Sequence, residues 1–254
     1  MPPRVRVAVV TGGSSGIGAA LVRALARDGL HCVLLARREE RLRELAAAVG
    51  GEYEVCDVAD RESVVRAATA IGERHARIDV LVANAGVPAR SDFVDGRPER
   101  IEAAVRTNYL GAVWTVQAFL PLLVRGSDVV NIVSVAGEVV GASGPYAASK
   151  HAQLAFSRSV AVELGRRGIR VHTIKPGFVE TEGFPQGKLP SPARRVVIGP
   201  DRVAAHVLAS LERGGGPRET TVPRFYRLAA LTQAIAPNVL ARALIRLDGI
   251  RMRP

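Results

Sequence analysis

The chain has 254 residues, 48% of them hydrophobic, and a formal net charge of +11. That length and apolar content suit one large domain with a substantial core, and the 25 Gly and 15 Pro form no low-complexity tract. The charge is almost all arginine (only Lys150, Lys175 and Lys188 are lysines) and lies scattered among glutamates, as in "ARREERLREL". With no basic run and only 4% aromatic residues, it points to a solvated basic surface and to no specific nucleic-acid binding.

Taken in chain order, apolar β-rich runs alternate with helical patterns. "VRVAVVT" (5–11) reads as a buried strand and is followed by a helix over about 16–28. Strands at 31–36, 53–58, 78–86, 128–135 and 169–177 then alternate with helices at 39–49, 61–76, about 98–124 and 146–165. A Gly- and Pro-rich stretch over about 178–200 breaks the rhythm, and a helix (201–212) and a last strand (219–223) follow. Short buried strands separated by helices predict an α/β fold: a Rossmann-like, doubly wound parallel sheet of about seven strands in a single domain. The expected domain is 1–223, carrying a substrate loop at about 178–200, with a basic amphipathic helical extension over 224–254.

Cys32 and Cys56 sit in or beside apolar runs and read as small buried hydrophobes. His31, His75, His151, His172 and His206 are scattered singly, so no metal site is expected. The N-terminus runs straight into the first strand without the apolar core of a signal peptide, and no run is long enough to span a bilayer. The expected location is the cytosol.

Two stretches carry chemistry. "TGGSSGIG" (11–18) joins the first strand to the first helix, where glycines let backbone approach closely and the helix N-terminus offers free N–H groups to a pyrophosphate. "YAASK" (146–150) places Tyr146 and Lys150 one helical turn apart. A free tyrosine titrates near about 10, and a neighbouring ammonium is expected to lower that value.

These motifs occur in one order with "CDV" (56–58), "ANAG" (83–86), "TNYLG" (107–111), "NIVSVAG" (131–137) and "KPGFVET" (175–181). On them the sequence resembles the short-chain dehydrogenase/reductase family, in its short single-domain branch, over about residues 5–181 and more weakly to about 223. The resemblance implies a catalytic set of Asn108, Ser134, Tyr146 and Lys150. Ser134 would bond the substrate oxygen, Tyr146 transfer the proton, Lys150 tune Tyr146 and hold the nicotinamide ribose, and Asn108 hold a water that links Lys150 to solvent. Cofactor contacts are expected from Gly12, Ser14, Ser15, Gly16, Ile17 and Gly18, and from Asp57 and Val58 along the adenine. Asn84, Ala85 and Gly86 would line the central crevice, and Pro176, Gly177, Val179 and Thr181 the carboxamide. Ala83 stands where many relatives carry a second Asn.

NAD enzymes of this fold usually end the second strand with an acid. Here Ala36 is followed by Arg37 and Arg38, which can pair a 2′-phosphate. NADP(H) is therefore expected, with Arg37 the main contact and Arg38 the second; NAD(H) is the alternative.

The implied activity interconverts a carbonyl and a secondary alcohol. Alternatives are an epimerase or dehydratase on a related fold and a non-catalytic NADPH-binding sensor. Phe93, Val140, Phe178, Phe184 and Leu189 point to an apolar substrate. The Ser134–Tyr146 interval is one residue shorter than in most relatives, within "EVVGASGP". A homodimer or homotetramer is implied, built partly on the helices around 98–124 and 146–165. Residues 224–250 read as two amphipathic helical pieces broken at Pro237, which could pack on the protein itself, form a substrate lid or a subunit contact, or make a peripheral membrane contact.

Overall fold

A computed structural model describes residues 5–89, 92–94, 96–140, 144–183, 196–212, 218–239 and 241–242. Seven strands form one parallel sheet in the order β3-β2-β1-β4-β5-β6-β7. They are β1 Val7–Thr11, β2 His31–Ala36, β3 Glu52–Val55, β4 Ile78–Ala83, β5 Leu123–Ile132, β6 Arg170–Pro176 and β7 Arg218–Val222. The order reverses between β1 and β4, which places a crevice beyond the carboxyl ends of those strands. This is the doubly wound α/β fold expected from the alternation.

β1 and β4 are buried along their whole length because helices cover both faces of the sheet. One face packs against α1 (Gly16–Arg27), α2 (Glu39–Val49) and α7 (Pro200–Glu212), through Leu21, Leu25, Leu42 and Val203. The other packs against α3 (Arg61–Arg74), α5 (Gly111–Phe119) and α6 (Gly144–Gly165), through Val64, Ile71, Phe119 and Leu164.

Several boundaries differ from expectation. β3 stops at Val55 and β4 at Ala83, so Asp57, Val58 and Asn84–Gly86 lie in the loops that follow. The helical stretch from 98 is not uniform. α4 (Pro98–Ala104) passes through a π-turn, Val105–Leu110, into α5. A 3-10 turn, Leu120–Leu122, contains Pro121 and ends the helix, so β5 begins at Leu123, well before the expected residue 128. Leu123 already pairs with Ile78, before an irregularity that Ser127 bridges by donating to the Ile78 carbonyl at 2.7 Å. At the end of the chain, α8 (Tyr226–Ile235) stops at Ala236, and the backbone is helical again from Pro237, as the break predicted.

A buried charge cluster fixes the register of β5 on β6. Asp128, fully buried, accepts two bonds from its register partner Arg170, at 2.7 and 2.6 Å, and one contact from His172 at 2.8 Å. Burial alone would raise the Asp128 carboxyl, but His172 and Arg170 hold it below the usual carboxylate range. Removing one partner of a buried pair strands the other. Asp128→Asn is therefore expected to lower stability by about 3 kcal/mol, read as a lower urea midpoint with unchanged slope.

Candidate active site

The turn after β1 is built by close approach. Gly12 has φ +66, and a Cβ there would lie 2.9 Å from the Ala85 Cα. A Cβ on Gly18 would stand 2.1 Å from the Gly12 carbonyl oxygen, so α1 can press onto the turn only with glycine at that position. Thr11 ties the turn to the loop after β4: its hydroxyl donates to the Val82 carbonyl and accepts from the Asn84 and Ala85 N–H groups. Asn84 returns a side-chain bond of 2.9 Å to the Thr11 carbonyl. Gly16, with φ +53, abuts Thr181, whose Cγ2 would be 3.1 Å from an added Cβ. Ser15, the N-cap of α1, makes no side-chain cap bond, and the first turn carries no acid. The first N–H groups of α1 thus face a crevice bounded by Gly12–Gly18, Asn84–Gly86 and Thr181.

At the end of β5, Ser134 opens a short 3-10 turn. Its Oγ accepts the Ala136 N–H at 3.1 Å and donates to the Pro176 carbonyl at 3.4 Å, joining the ends of β5 and β6. Tyr146 lies in the first turn of α6, with its hydroxyl in reach of Ser134. Lys150, one turn on, is 3% exposed, and its Nζ stands 5.9 Å from the Tyr146 ring centroid. Nζ donates to Gln153 Oε1 at 2.7 Å and to the Ile132 carbonyl at 3.3 Å. The sequence singled out Ser134, Tyr146 and Lys150, and the fold brings them together; it did not single out Gln153, which is fully buried and has only its helical spacing from Lys150 as a signal.

The electrostatics run opposite to the expectation from charge alone. Burial pushes the Lys150 ammonium down to about 7. Burial likewise pushes the Tyr146 phenol up, with Ser134 offsetting part of that rise. A partly discharged Lys150 that points at Gln153 and a carbonyl does not lower Tyr146 in the cofactor-free protein.

Asn108 sits inside the π-turn and is fully buried. Its Oδ1 accepts the Val87 N–H at 2.8 Å, and its Nδ2 donates to the Val87 carbonyl and to Ser149 Oγ. The amide therefore clamps the loop after β4 to α6. Beside Gly86, Asn108 Oδ1 and Lys150 Nζ would lie 3.2 and 3.6 Å from an added Cβ. Val87 and Ser149 take both side-chain N–H groups and one lone pair of Oδ1, so the water-holding role expected for Asn108 falls to the other lone pair or to its main-chain carbonyl.

Arg37 is 67% exposed and 3.8 Å from Asp57. Arg38 is half-exposed: Glu182 accepts from it at 3.3 Å and also pairs with Arg41. An exposed pair of this kind holds its partners only weakly. Asp57 accepts the Ala59 N–H at 3.0 Å, and Val58 is buried against Gly111. Pro176 ends β6, the Gly177 N–H bonds the Val222 carbonyl at 2.8 Å, and Val179 is buried beside Ile198. The Tyr226 ring covers Gly177, where a Cβ would meet Cε2 at 2.1 Å.

Phe93, Val140 and Phe178 are exposed around this end of the sheet. Phe184, Leu189 and most of the substrate loop lie outside the described residues, as do residues 141–143 of the shortened Ser134–Tyr146 interval and the chain beyond 242.

At the opposite end of the sheet, two histidines that look solitary in sequence meet. His31 and His75 contact Glu52 Oε1 at 2.9 and 3.2 Å, beside a cavity of about 450 Å³. Arg74 donates to the other oxygen of Glu52 at 2.9 Å, so the carboxylate is already shared among three partners. The residues lie at the starts of β2 and β3 and at the end of α3, a convergence set by topology and not by spacing.

Comparison with known proteins agrees with this architecture. Residues 6–187 match the short chain dehydrogenase family. The human 3-oxoacyl-[acyl-carrier-protein] reductase is 34% identical over 183 residues, 70% of this chain and 77% of that protein. An alcohol dehydrogenase from Thermococcus sibiricus, solved with 5-hydroxy-NADP, superposes with a TM-score of 0.78 at 32% identity, covering 86% of this chain and 96% of that one. A short-chain dehydrogenase from Streptomyces avermitilis gives 0.81 at 27% identity, covering 98% of each chain. With its seven-stranded parallel sheet and a family match over most of its length, the chain belongs to the short-chain dehydrogenases, a family of oxidoreductases.

Proposed function

We propose that this chain is an NADP(H)-dependent oxidoreductase that interconverts a carbonyl and a secondary alcohol on an apolar substrate. The observation that carries the reading is the meeting of Ser134, Tyr146 and Lys150 beside the glycine-walled crevice. The solved alcohol dehydrogenase with its NADP derivative and the 3-oxoacyl reductase support the same couple.

The residues present fit the cofactor. A Cβ at Gly12 or Gly18 would collide with backbone, so the walls are held close, and the first N–H groups of α1 can take a pyrophosphate. Arg37 projects past Ala36 with only a long contact to Asp57, so it can turn to a 2′-phosphate. Arg38, held only by an exposed pair with Glu182, is the second contact. Asn84–Gly86, Pro176, Gly177, Val179 and Thr181 are the residues that would flank the rest of the cofactor. When bound, the cofactor supplies or accepts the hydride.

The chain's own residues handle the proton. Tyr146, kept protonated by burial, gives its proton to the carbonyl oxygen on reduction and takes it back on oxidation. Ser134 holds that oxygen. Lys150 would turn N–H donors to the ribose when the cofactor is bound and return a proton to Tyr146, and Asn108 holds the loop after β4 to α6. The same reading makes the protein a cytosolic homodimer or homotetramer that uses the helices around 98–124 and 146–165.

Tyr146→Phe is expected to keep NADPH binding, measured by fluorescence titration, and to lower turnover by about two to four orders of magnitude. Near-normal turnover on a carbonyl panel would refute the proton-donor role. Arg37→Ala is expected to weaken NADPH binding about tenfold while leaving NADH binding unchanged; an unchanged preference would remove the assignment.

Lys150 gives a pH signature. Its folded value near 7 lies below about 10.4 for an unfolded chain, so the unfolded state binds more protons between these limits. The cost of burying the ammonium is full below about 7 and disappears above about 10. Lys150→Met should therefore make the cofactor-free protein more stable at pH 7 by about 4 kcal/mol, with the gap narrowing toward pH 10. Urea denaturation at the two pH values measures it.

A further inference from the structure

α8 crosses the rim of the site. Tyr226 lies over Gly177 with its ring edge-on to Phe178, 6.4 Å between centroids. Gln233 Oε1, on the same face, accepts the Val140 N–H at 3.4 Å. At about 100° per residue, Leu228, Leu231 and Ile235 fall on the opposite face of the helix from these anchors. They are 71%, 53% and 74% exposed. Phe225 and Val239, which flank this helix, are exposed as well, and so are Phe178 and Val140 at the rim beneath it. A helix that is apolar on the side away from its own protein reverses the usual arrangement.

The charge around this surface has one sign. Arg224, Arg227 and Arg242 are exposed, and residues 220–247 contain no Asp or Glu. A second copy of the chain docked face to face would set these arginines against their own counterparts. An anionic lipid surface satisfies both the apolar stripe and the charge.

We propose that residues 225–239 lie in the headgroup layer of an anionic membrane and hold the mouth of the site against it, so that the substrate is an apolar carbonyl or alcohol drawn from the bilayer. Membrane binding stands on α8 alone; the substrate's source rests on the function proposed above. Among the described residues no helix is long and apolar enough to cross a membrane, so the contact is peripheral.

The test is flotation of the full chain with vesicles of phosphatidylglycerol and phosphatidylcholine, and with phosphatidylcholine alone, at about 0.15 M salt, where surface charges are screened beyond about 8 Å. The unaltered chain should float with the anionic vesicles and not with the neutral ones. Leu228→Glu/Leu231→Glu should lose about tenfold in partition. Arg23→Gln/Arg27→Gln, which removes the same net charge from exposed positions on α1, should lose much less. Absence of flotation, equal binding to both vesicles, or equal loss in both variants would overturn the proposal. So would a dimer, seen by size exclusion, that the Leu228/Leu231 variant converts to monomer while the unaltered chain stays off vesicles. Turnover of a water-soluble ketone should survive in the Leu228/Leu231 variant. If even the unaltered chain lacks that turnover, the oxidoreductase reading fails while the vesicle result still decides the membrane contact.

Discussion

Placing an ammonium group out of water is the constraint around which this end of the molecule is arranged. Lys150 is nearly inaccessible and has no acidic partner among its bonds, only a glutamine oxygen and a strand-end carbonyl. Such a group is expensive to bury as a cation, which is why its titration falls toward neutrality. The cost is tolerable because the surroundings are fixed by other bonds. Ser149 accepts a hydrogen bond from Asn108, Asn108 holds both backbone groups of Val87, and Thr11 ties the β4 loop to the β1 turn. One chain of contacts thus runs from the helix that carries Lys150 to the glycine turn.

The same constraint explains why part of the site could be read in the sequence and part could not. The glycine turn is legible because close backbone approach demands particular residues: Gly12 and Gly18 would each collide with backbone if given a Cβ. The spacing of Tyr146 and Lys150 is legible because helix geometry is regular. The sign of the effect on Tyr146 is not, since it depends on how much protein surrounds the pair, and burial outweighs the charge expected from Lys150. The pairing of Arg38 with Glu182 is equally hidden, because it joins two loops far apart in the chain.

For the fold, alternation of apolar strands with helices carried the architecture, because a sheet covered on both faces needs continuous apolar runs. It failed where local geometry departs from the regular. The π-turn around Asn108 leaves no sequence mark, and "LLVRG" reads as the end of a helix until Pro121 and the pairing of Leu123 with Ile78 turn it into strand. The meeting of His31, Glu52 and His75 is a product of parallel topology, which gathers the starts of strands at one end of the sheet as it gathers their ends at the other.

Gly177 and Tyr226 form a pair with a consequence for how this chain can vary. The ring occupies the volume that any side chain at 177 would need. A larger residue there requires the Tyr226 ring to move out of that volume, and with it the edge-on contact to Phe178. The space beside the end of β6 and the seating of the C-terminal helix are therefore linked through one ring, so a change at position 177 is felt at position 226.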